Sequence, residues 1–84
     1  MEENISIGTL LRNAREQKKI SIQDVASKTK ININILRSLE EDDVANLPNI
    51  AYLRGFVKNY AKAVGVDQNQ AEQSLNSTLQ IKAN

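Results

Sequence analysis

The chain has 84 residues, of which 40% are hydrophobic and 25% charged, and its net charge is +1. This length suits one domain with a modest core, and the composition is ordinary for a globular protein. Cysteine and histidine are absent, which excludes disulfides and thiolate metal sites and removes the most common general base and metal ligand. No apolar run is long enough to cross a bilayer, and the acidic N-terminus lacks the charge pattern of a signal peptide.

The first predicted helix covers about residues 8–18. Four apolar residues follow the spacing of one buried helical stripe: Ile7, Leu10, Leu11 and Ala14. Either Ser6 or Thr9 can cap this helix, because both side chains accept hydrogen bonds from backbone amides. The chain shows no sustained alternation of apolar and polar residues and no Asn-Gly or Asp-Gly pair, so it gives no strand or hairpin signal.

Two short helices follow, separated by a turn of only a few residues. Ser21 can cap a second helix over residues 22–29, and Asp24, three positions later, fits a capping box. Asn32 can cap a third helix over residues 33–41. A short turn between two capped short helices is typical of the helix-turn-helix unit.

The second half of the chain predicts two longer helices. A fourth helix is expected over about residues 50–64, with Gly65 as its C-terminal cap. Asp67 can cap a fifth helix over residues 68–80, and residues 81–84 are expected to fray. The sequence therefore predicts a single all-α domain, a five-helix bundle that contains a helix-turn-helix.

The outward face of the third predicted helix is a possible DNA-binding surface. Asn34, Arg37 and Ser38 point outward there; asparagine can pair with adenine and arginine with guanine. Two features disfavour DNA: Ile33 offers an apolar side chain to a polar groove, and the acidic run Glu40–Asp43 repels phosphate. We interpret the acidic run as a solvated helix end, open to pairing with a nearby lysine or arginine, since it lacks the spacing of a calcium-binding loop.

The fourth predicted helix carries all the aromatic residues of the chain. They lie at i, i+4 and i+8 and are Tyr52, Phe56 and Tyr60. A basic stripe has the same spacing and consists of Arg54, Lys58 and Lys62. The pattern favours a core position for Tyr60 and leaves core and interface equally open for Tyr52 and Phe56. An aromatic stripe edged by basic residues is more typical of a protein-binding hot spot than of a DNA face. The candidate protein-binding residues are thus Tyr52, Phe56, Arg54 and Lys58.

Two blocks of sequence resemble the RodZ family. The first is Leu11-Arg12-Asn13-Ala14-Arg15-Glu16-Gln17 followed by Ile20-Ser21. The second comprises Leu47-Pro48, Tyr52-Leu53-Arg54-Gly55-Phe56, Tyr60-Ala61 and Gly65-Val66-Asp67. The resemblance covers roughly residues 8–67, and the second block is specific, since few helix-turn-helix families carry this aromatic motif after the third helix.

The resemblance implies a bacterial cell-shape protein. In RodZ-like proteins a cytoplasmic domain of five helices, similar to the lambda-repressor-like Cro/cI fold, precedes a basic linker, one transmembrane helix and a periplasmic domain. The cytoplasmic domain binds the actin-like filament protein MreB, and the family's contact aromatics match Tyr52 and Phe56. The turn of the motif departs from DNA-reading repressors, because Lys30 stands where they usually place glycine.

Two functions remain as alternatives from the sequence. The first is a cytoplasmic protein-interaction domain of a RodZ-like protein; the second is a DNA-binding transcriptional regulator of the Cro/cI type. An enzyme is disfavoured because no catalytic constellation can be assembled, and no catalytic, cofactor-binding or metal-binding residue is predicted. The linker, transmembrane helix and periplasmic domain are missing, and the ending Lys82-Ala83-Asn84 favours a piece of a single-pass inner-membrane protein over a soluble relative.

Overall fold

A computed structural model describes residues 5–83, which fold into five α-helices and one 3₁₀ turn. The helices are α1 (Ile7–Gln17), α2 (Ile22–Thr29), α3 (Ile33–Glu40), α4 (Ile50–Val64) and α5 (Gln68–Ala83), and the 3₁₀ turn is Val44–Asn46. No strand occurs between residues 5 and 83. The prediction of an all-α fold with five helices is confirmed.

Small polar side chains begin the helices. Each accepts a hydrogen bond from a backbone amide near the helix start: Ser6 from Thr9 at 3.1 Å, Ser21 from Asp24 at 3.0 Å, Asn32 from Asn34 at 2.7 Å, Asn49 from Ala51 at 2.8 Å and Asp67 from Asn69 at 2.8 Å. Ser6, and not Thr9, therefore caps α1. A cap of this kind is worth about 1 kcal/mol, which is substantial for helices as short as α2 and α3.

The last helix differs from its expected end. Helix α5 continues to Ala83, whereas the sequence was expected to fray from residue 81. The added turn contains neither proline nor glycine, and lysine and alanine are good helix formers. Asn84, the last residue of the expected tail, lies outside the described residues.

Helix α4 lies at the centre of the packing and contacts α1, α2 and α5. Its buried residues are Leu53, Val57, Tyr60, Ala61 and Val64. The other helices contribute mainly aliphatic residues to the same core: Ile7, Leu11, Val25, Ile31, Leu36, Leu39, Ala71 and Leu75. Burying a valine or leucine contributes about 1.5–3 kcal/mol, so this core fixes which face of α4 remains exposed to solvent.

Helices α1 and α3 approach each other closely at Gly8. A Cβ atom added to Gly8 would lie 2.4 Å from the carbonyl oxygen of Glu40 and 2.6 Å from that of Leu39. The amide of Gly8 also donates a hydrogen bond to the Asp42 carboxylate at 2.9 Å. Only glycine fits this crossing, which places the acidic run after α3 against the start of α1.

Candidate functional site

The three aromatic residues of α4 occupy three different environments. Tyr60 is fully buried, Phe56 is half-buried against the core, and Tyr52 is 68% exposed. Each step of four residues turns about 40° around a helix, so the stripe moves gradually from the core at Tyr60 to solvent at Tyr52. The expectation that Tyr60 is a core residue is confirmed, and Tyr52 lies on the surface.

Tyr60 belongs to a polar network that joins α1, α3 and α4. Its hydroxyl donates to the Glu40 carboxylate, which also accepts from Arg15 Nε at 2.7 Å and Nη2 at 3.2 Å. Burial and the bond to Glu40 raise the pKa of the Tyr60 phenol, and the bond to Glu40 raises the pKa of Arg15. Arg15 Nη1 donates to the Ile20 carbonyl at 2.9 Å. This network holds the helices together and leaves Tyr60 unavailable to a partner.

The acidic run at the end of α3 is largely structural. The Glu40 side chain is 8% exposed and pairs with Arg15. Asp42 accepts from the Gly8 amide, and Asp43 accepts from Asn46 Nδ2 at 2.7 Å. The expected pairing with a nearby arginine is found at Glu40, but the run is less solvated than expected, because the carboxylates of Glu40, Asp42 and Asp43 all accept hydrogen bonds within the domain. Glu41 alone of the four is exposed, and Glu40 alone has its charge compensated by a cation, Arg15, so the run repels phosphate with three uncompensated charges and not four.

The predicted basic residues of α4 lie apart from the aromatic ones. Residues two positions apart point about 160° away from each other on a helix, which separates Arg54 from both Tyr52 and Phe56. Lys58 Nζ lies 3.8 Å from the Glu72 carboxylate on α5. The structure thus brings Tyr52 and Phe56 together and places Arg54 and Lys58 at the opposite margin of the solvent-exposed face.

The middle of this exposed face is Gly55. A Cβ atom added there would meet nothing within 4 Å, and the residue is exposed. Any partner that contacts both margins of α4 would cross this bare stretch of backbone.

A groove between α2 and α4 continues the line of Tyr52 and Phe56 toward the C-terminus of α4. It is lined by Lys28, Thr29, Asn59, Lys62 and Ala63. In the sequence, Lys62 is recognisable as part of the basic stripe and Lys28 as one of several scattered lysines that could contact phosphate, and nothing pairs the two. The signal that was available is the spacing from Tyr52, since positions 59 and 63 follow at i+7 and i+11.

The candidate DNA-binding residues lie together on α3. Asn34 and Arg37 are exposed, and Ser38 and Ile33 are half-buried. Lys30, in the turn before α3, has a left-handed backbone with φ of 63°, a conformation that favours glycine. The geometry of the helix-turn-helix turn is therefore kept without a glycine.

The described residues lack the features of two other classes of site. Between residues 5 and 83 no three acidic side chains gather in a way that could hold a metal ion. In the same part of the chain, no helix combines the length and apolar character needed to cross a membrane.

Comparison with known proteins identifies relatives of this fold. A family model described as a helix-turn-helix domain matches residues 10–71. The cytoskeleton protein RodZ of Streptococcus pneumoniae (strain ATCC BAA-255 / R6) is 40% identical over 62 residues, which are 74% of this chain but only 22% of that protein. YmfM of Staphylococcus aureus, a membrane protein to which DNA binding has been ascribed, matches with a TM-score of 0.80 and 27% identity over 88% of this chain and 90% of that chain.

These relatives decide two of the expectations from the sequence. The matched family is described as a helix-turn-helix domain and the relative as a cytoskeleton protein, in agreement with the expectation of a non-catalytic domain. The similarity to RodZ also confirms the resemblance that the two sequence blocks indicated. The chain belongs to this helix-turn-helix domain family, in a RodZ-like form.

Proposed function

We propose that this domain is the interaction module of a RodZ-like bacterial cell-shape protein and that it binds the actin-like filament protein MreB through α4. One observation carries the proposal: Tyr52, a large aromatic residue, is 68% exposed in a chain 40% identical to a cytoskeleton protein. Covering such a side chain is favourable at about 25 cal/mol per Å² of apolar surface. Aromatic residues of this kind are enriched among the anchors of protein interfaces.

The proposed interface has an aromatic margin and a basic margin. Tyr52 and the exposed part of Phe56 anchor the partner by apolar burial, and Arg54 and Lys58 add electrostatic attraction at the other side of the helix. Gly55 lies between the margins and lets the partner approach the helix backbone. Because Lys58 already pairs with Glu72 across 3.8 Å, we expect it to contribute less than Arg54.

We also propose a location for the module. The RodZ relative is far longer than this chain, which spans 22% of it, and YmfM is described as a membrane protein. We therefore place the domain on the cytoplasmic side of the inner membrane, as part of a single-pass protein whose anchor lies outside residues 5–83.

The test compares MreB binding and unfolding of matched alanine variants. We expect Tyr52→Ala to weaken binding by about 2 kcal/mol, roughly 30-fold, and to leave the free energy of unfolding within about 0.5 kcal/mol of the original. Ile5→Ala is the control, since Ile5 is also exposed, at 44%, but precedes α1. Val57→Ala marks the core and should destabilise the fold. MreB binding that is unchanged in Tyr52→Ala would contradict the proposal.

DNA binding is the second candidate. Asn34 and Arg37 are exposed on the second helix of the helix-turn-helix, and DNA binding has been ascribed to YmfM. Ile33 at the start of this helix and Glu41 just after its end oppose it, so we expect at most weak binding that is indifferent to sequence and falls steeply with salt. Fluorescence anisotropy with random and selected duplexes tests this. A defined motif bound at nanomolar affinity and lost in Arg37→Gln would make DNA the main ligand.

A further inference from the structure

One continuous line runs along α4 from the exposed aromatic residue to the groove beside α2. Positions 52, 56, 59 and 63 have the i, i+4, i+7, i+11 spacing of a single helix face. Tyr52 and Phe56 form its first half, and Asn59 and Ala63 line the groove. From Tyr52 to Lys62 the helix rises about 15 Å, so a short protein segment could contact both ends.

The groove is positively charged and open. Lys28 lines it from α2 and Lys62 from α4, both are exposed, and no acidic residue of the described part of the chain lines it. Between residues 5 and 83 neither lysine forms a salt bridge, in contrast to Lys58. The groove has a volume of about 470 Å³, ample room for a side chain to enter.

Two polar groups of the groove differ in their availability. The Thr29 hydroxyl already donates to the Val25 carbonyl at 2.7 Å. The exposed Asn59 amide, by contrast, has both a donor and an acceptor to offer. A carboxylate in the groove would therefore meet two ammonium groups and one amide donor.

The positions of the two lysines have a partial explanation within the domain. Each lies in the last turn of its helix, where a positive charge compensates the helix dipole by about 0.3–1 kcal/mol. That effect accounts for each lysine separately. It does not account for two cations lining one groove with no acid between them, an arrangement that a negatively charged ligand would stabilise.

We infer that the groove receives an aspartate or glutamate side chain of the partner protein, on a segment whose apolar residues cover Tyr52 and Phe56. This inference rests on the proposed function of α4 and adds the chemistry of its partner. A protein fits better than a nucleic acid, because phosphates would occupy the lysines and leave the adjoining aromatic margin uncovered. Interfaces typically combine such an apolar anchor with charged contacts at the rim.

The first test measures MreB affinity of glutamine variants at the two lysines. Lys28→Gln and Lys62→Gln should each weaken binding by roughly threefold, as expected for exposed ion pairs, and the loss should shrink at high salt. Lys19→Gln is the matched control, since Lys19 is an exposed lysine that does not line the groove. Wild-type affinity in the double variant at low salt, together with loss of binding in Tyr52→Ala, would overturn the inference and leave the function of α4 intact.

The second test does not depend on MreB. A hexaglutamate peptide is added to the domain at low salt, and backbone amide shifts are followed by NMR. The largest shifts should fall on Lys28, Thr29, Asn59 and Lys62 and disappear in the double glutamine variant, even if MreB itself does not bind. Shifts centred elsewhere would overturn the inference. Groove shifts produced by a DNA duplex but not by the peptide would also overturn it, by assigning the groove to nucleic acid.

Discussion

Replacing Gly55 with alanine distinguishes the effect of this residue on stability from its effect on binding a partner. Gly55 lies within the 15 residues of α4, and its φ is not positive, unlike that of Gly65. An added Cβ atom would meet nothing within 4 Å. Nothing in the domain itself therefore requires glycine at this position.

The expected effect on stability is an increase. Glycine in a helix interior costs about 1 kcal/mol relative to alanine, so Gly55→Ala should raise the free energy of unfolding by about that amount. For a domain of 60–100 residues this corresponds to a rise in Tm of about 4–8 °C. Circular dichroism during thermal and urea unfolding measures both quantities.

Gly8→Ala is the control, because it should lower the free energy of unfolding where Gly55→Ala should raise it. Its new Cβ atom would lie 2.4 Å from a backbone oxygen of Glu40, so α1 and α3 must move apart. Clashes of this kind cost about 1–3 kcal/mol, and the hydrogen bond from the Gly8 amide to Asp42 would be disturbed as well. If Gly55→Ala melts no higher than the original while Gly8→Ala melts lower, the account of Gly55 is wrong.

Binding should respond in the opposite direction at Gly55. A partner that contacts both margins of α4 must come close to the backbone there, so Gly55→Gln should weaken MreB binding although the fold tolerates it. Gly55→Ala should weaken binding less, because its side chain is a single methyl group. Binding of Gly55→Gln with wild-type affinity would show that the partner leaves this part of the helix uncovered.

Three further predictions concern the network around Tyr60 and the turn before α3. Glu40→Gln removes the negative charge that pairs with the half-buried Arg15 but keeps an acceptor oxygen, and it should destabilise the fold by about 1.5–3 kcal/mol, the range for a hydrogen bond to a charged group; urea unfolding equal to wild type would contradict this. The fold raises the pKa of Tyr60. Its hydrogen bond therefore contributes fully to the free energy of unfolding below about pH 10, the pKa of the phenol in the unfolded chain, and this contribution is lost as the pH rises further. Tyr60→Phe should reduce the loss of stability above pH 10 and the exposed Tyr52→Phe should not, as followed by circular dichroism. Lys30→Gly should raise the free energy of unfolding by about 1 kcal/mol, since Lys30 has φ of 63°; a lower Tm would show that its side chain makes a stabilising contact.

The helix starts were predictable because a cap is a local signal. Ser21, Asn32 and Asp67 precede their helices by one residue and accept the amides that the helix leaves unpaired. The burial of Tyr60 was also predictable, since an aromatic residue in the middle of an apolar helix face usually fills the core. These inferences need only the neighbouring residues along the chain.

The features that the sequence left open depend on contacts between distant residues. Arg15 and Glu40 are 25 positions apart, and although Glu40 follows the buried Leu36 at i+4, no local pattern indicates Arg15 and Tyr60 as its partners. The groove beside Lys28 exists only because α2 packs against α4.

The buried network and the exposed aromatic margin are linked through the rotation of α4 about its axis. Tyr60 is held by Glu40 and Arg15, and the positions of Phe56 and Tyr52 follow from it by steps of about 40°. Loosening the network would therefore turn or tilt the aromatic margin as well as weaken the fold. A loss of partner binding in Glu40→Gln would then report on the scaffold, whereas a loss in Tyr52→Ala with unchanged melting reports on the contact itself. The interface can be assigned to individual side chains only by variants of this second kind.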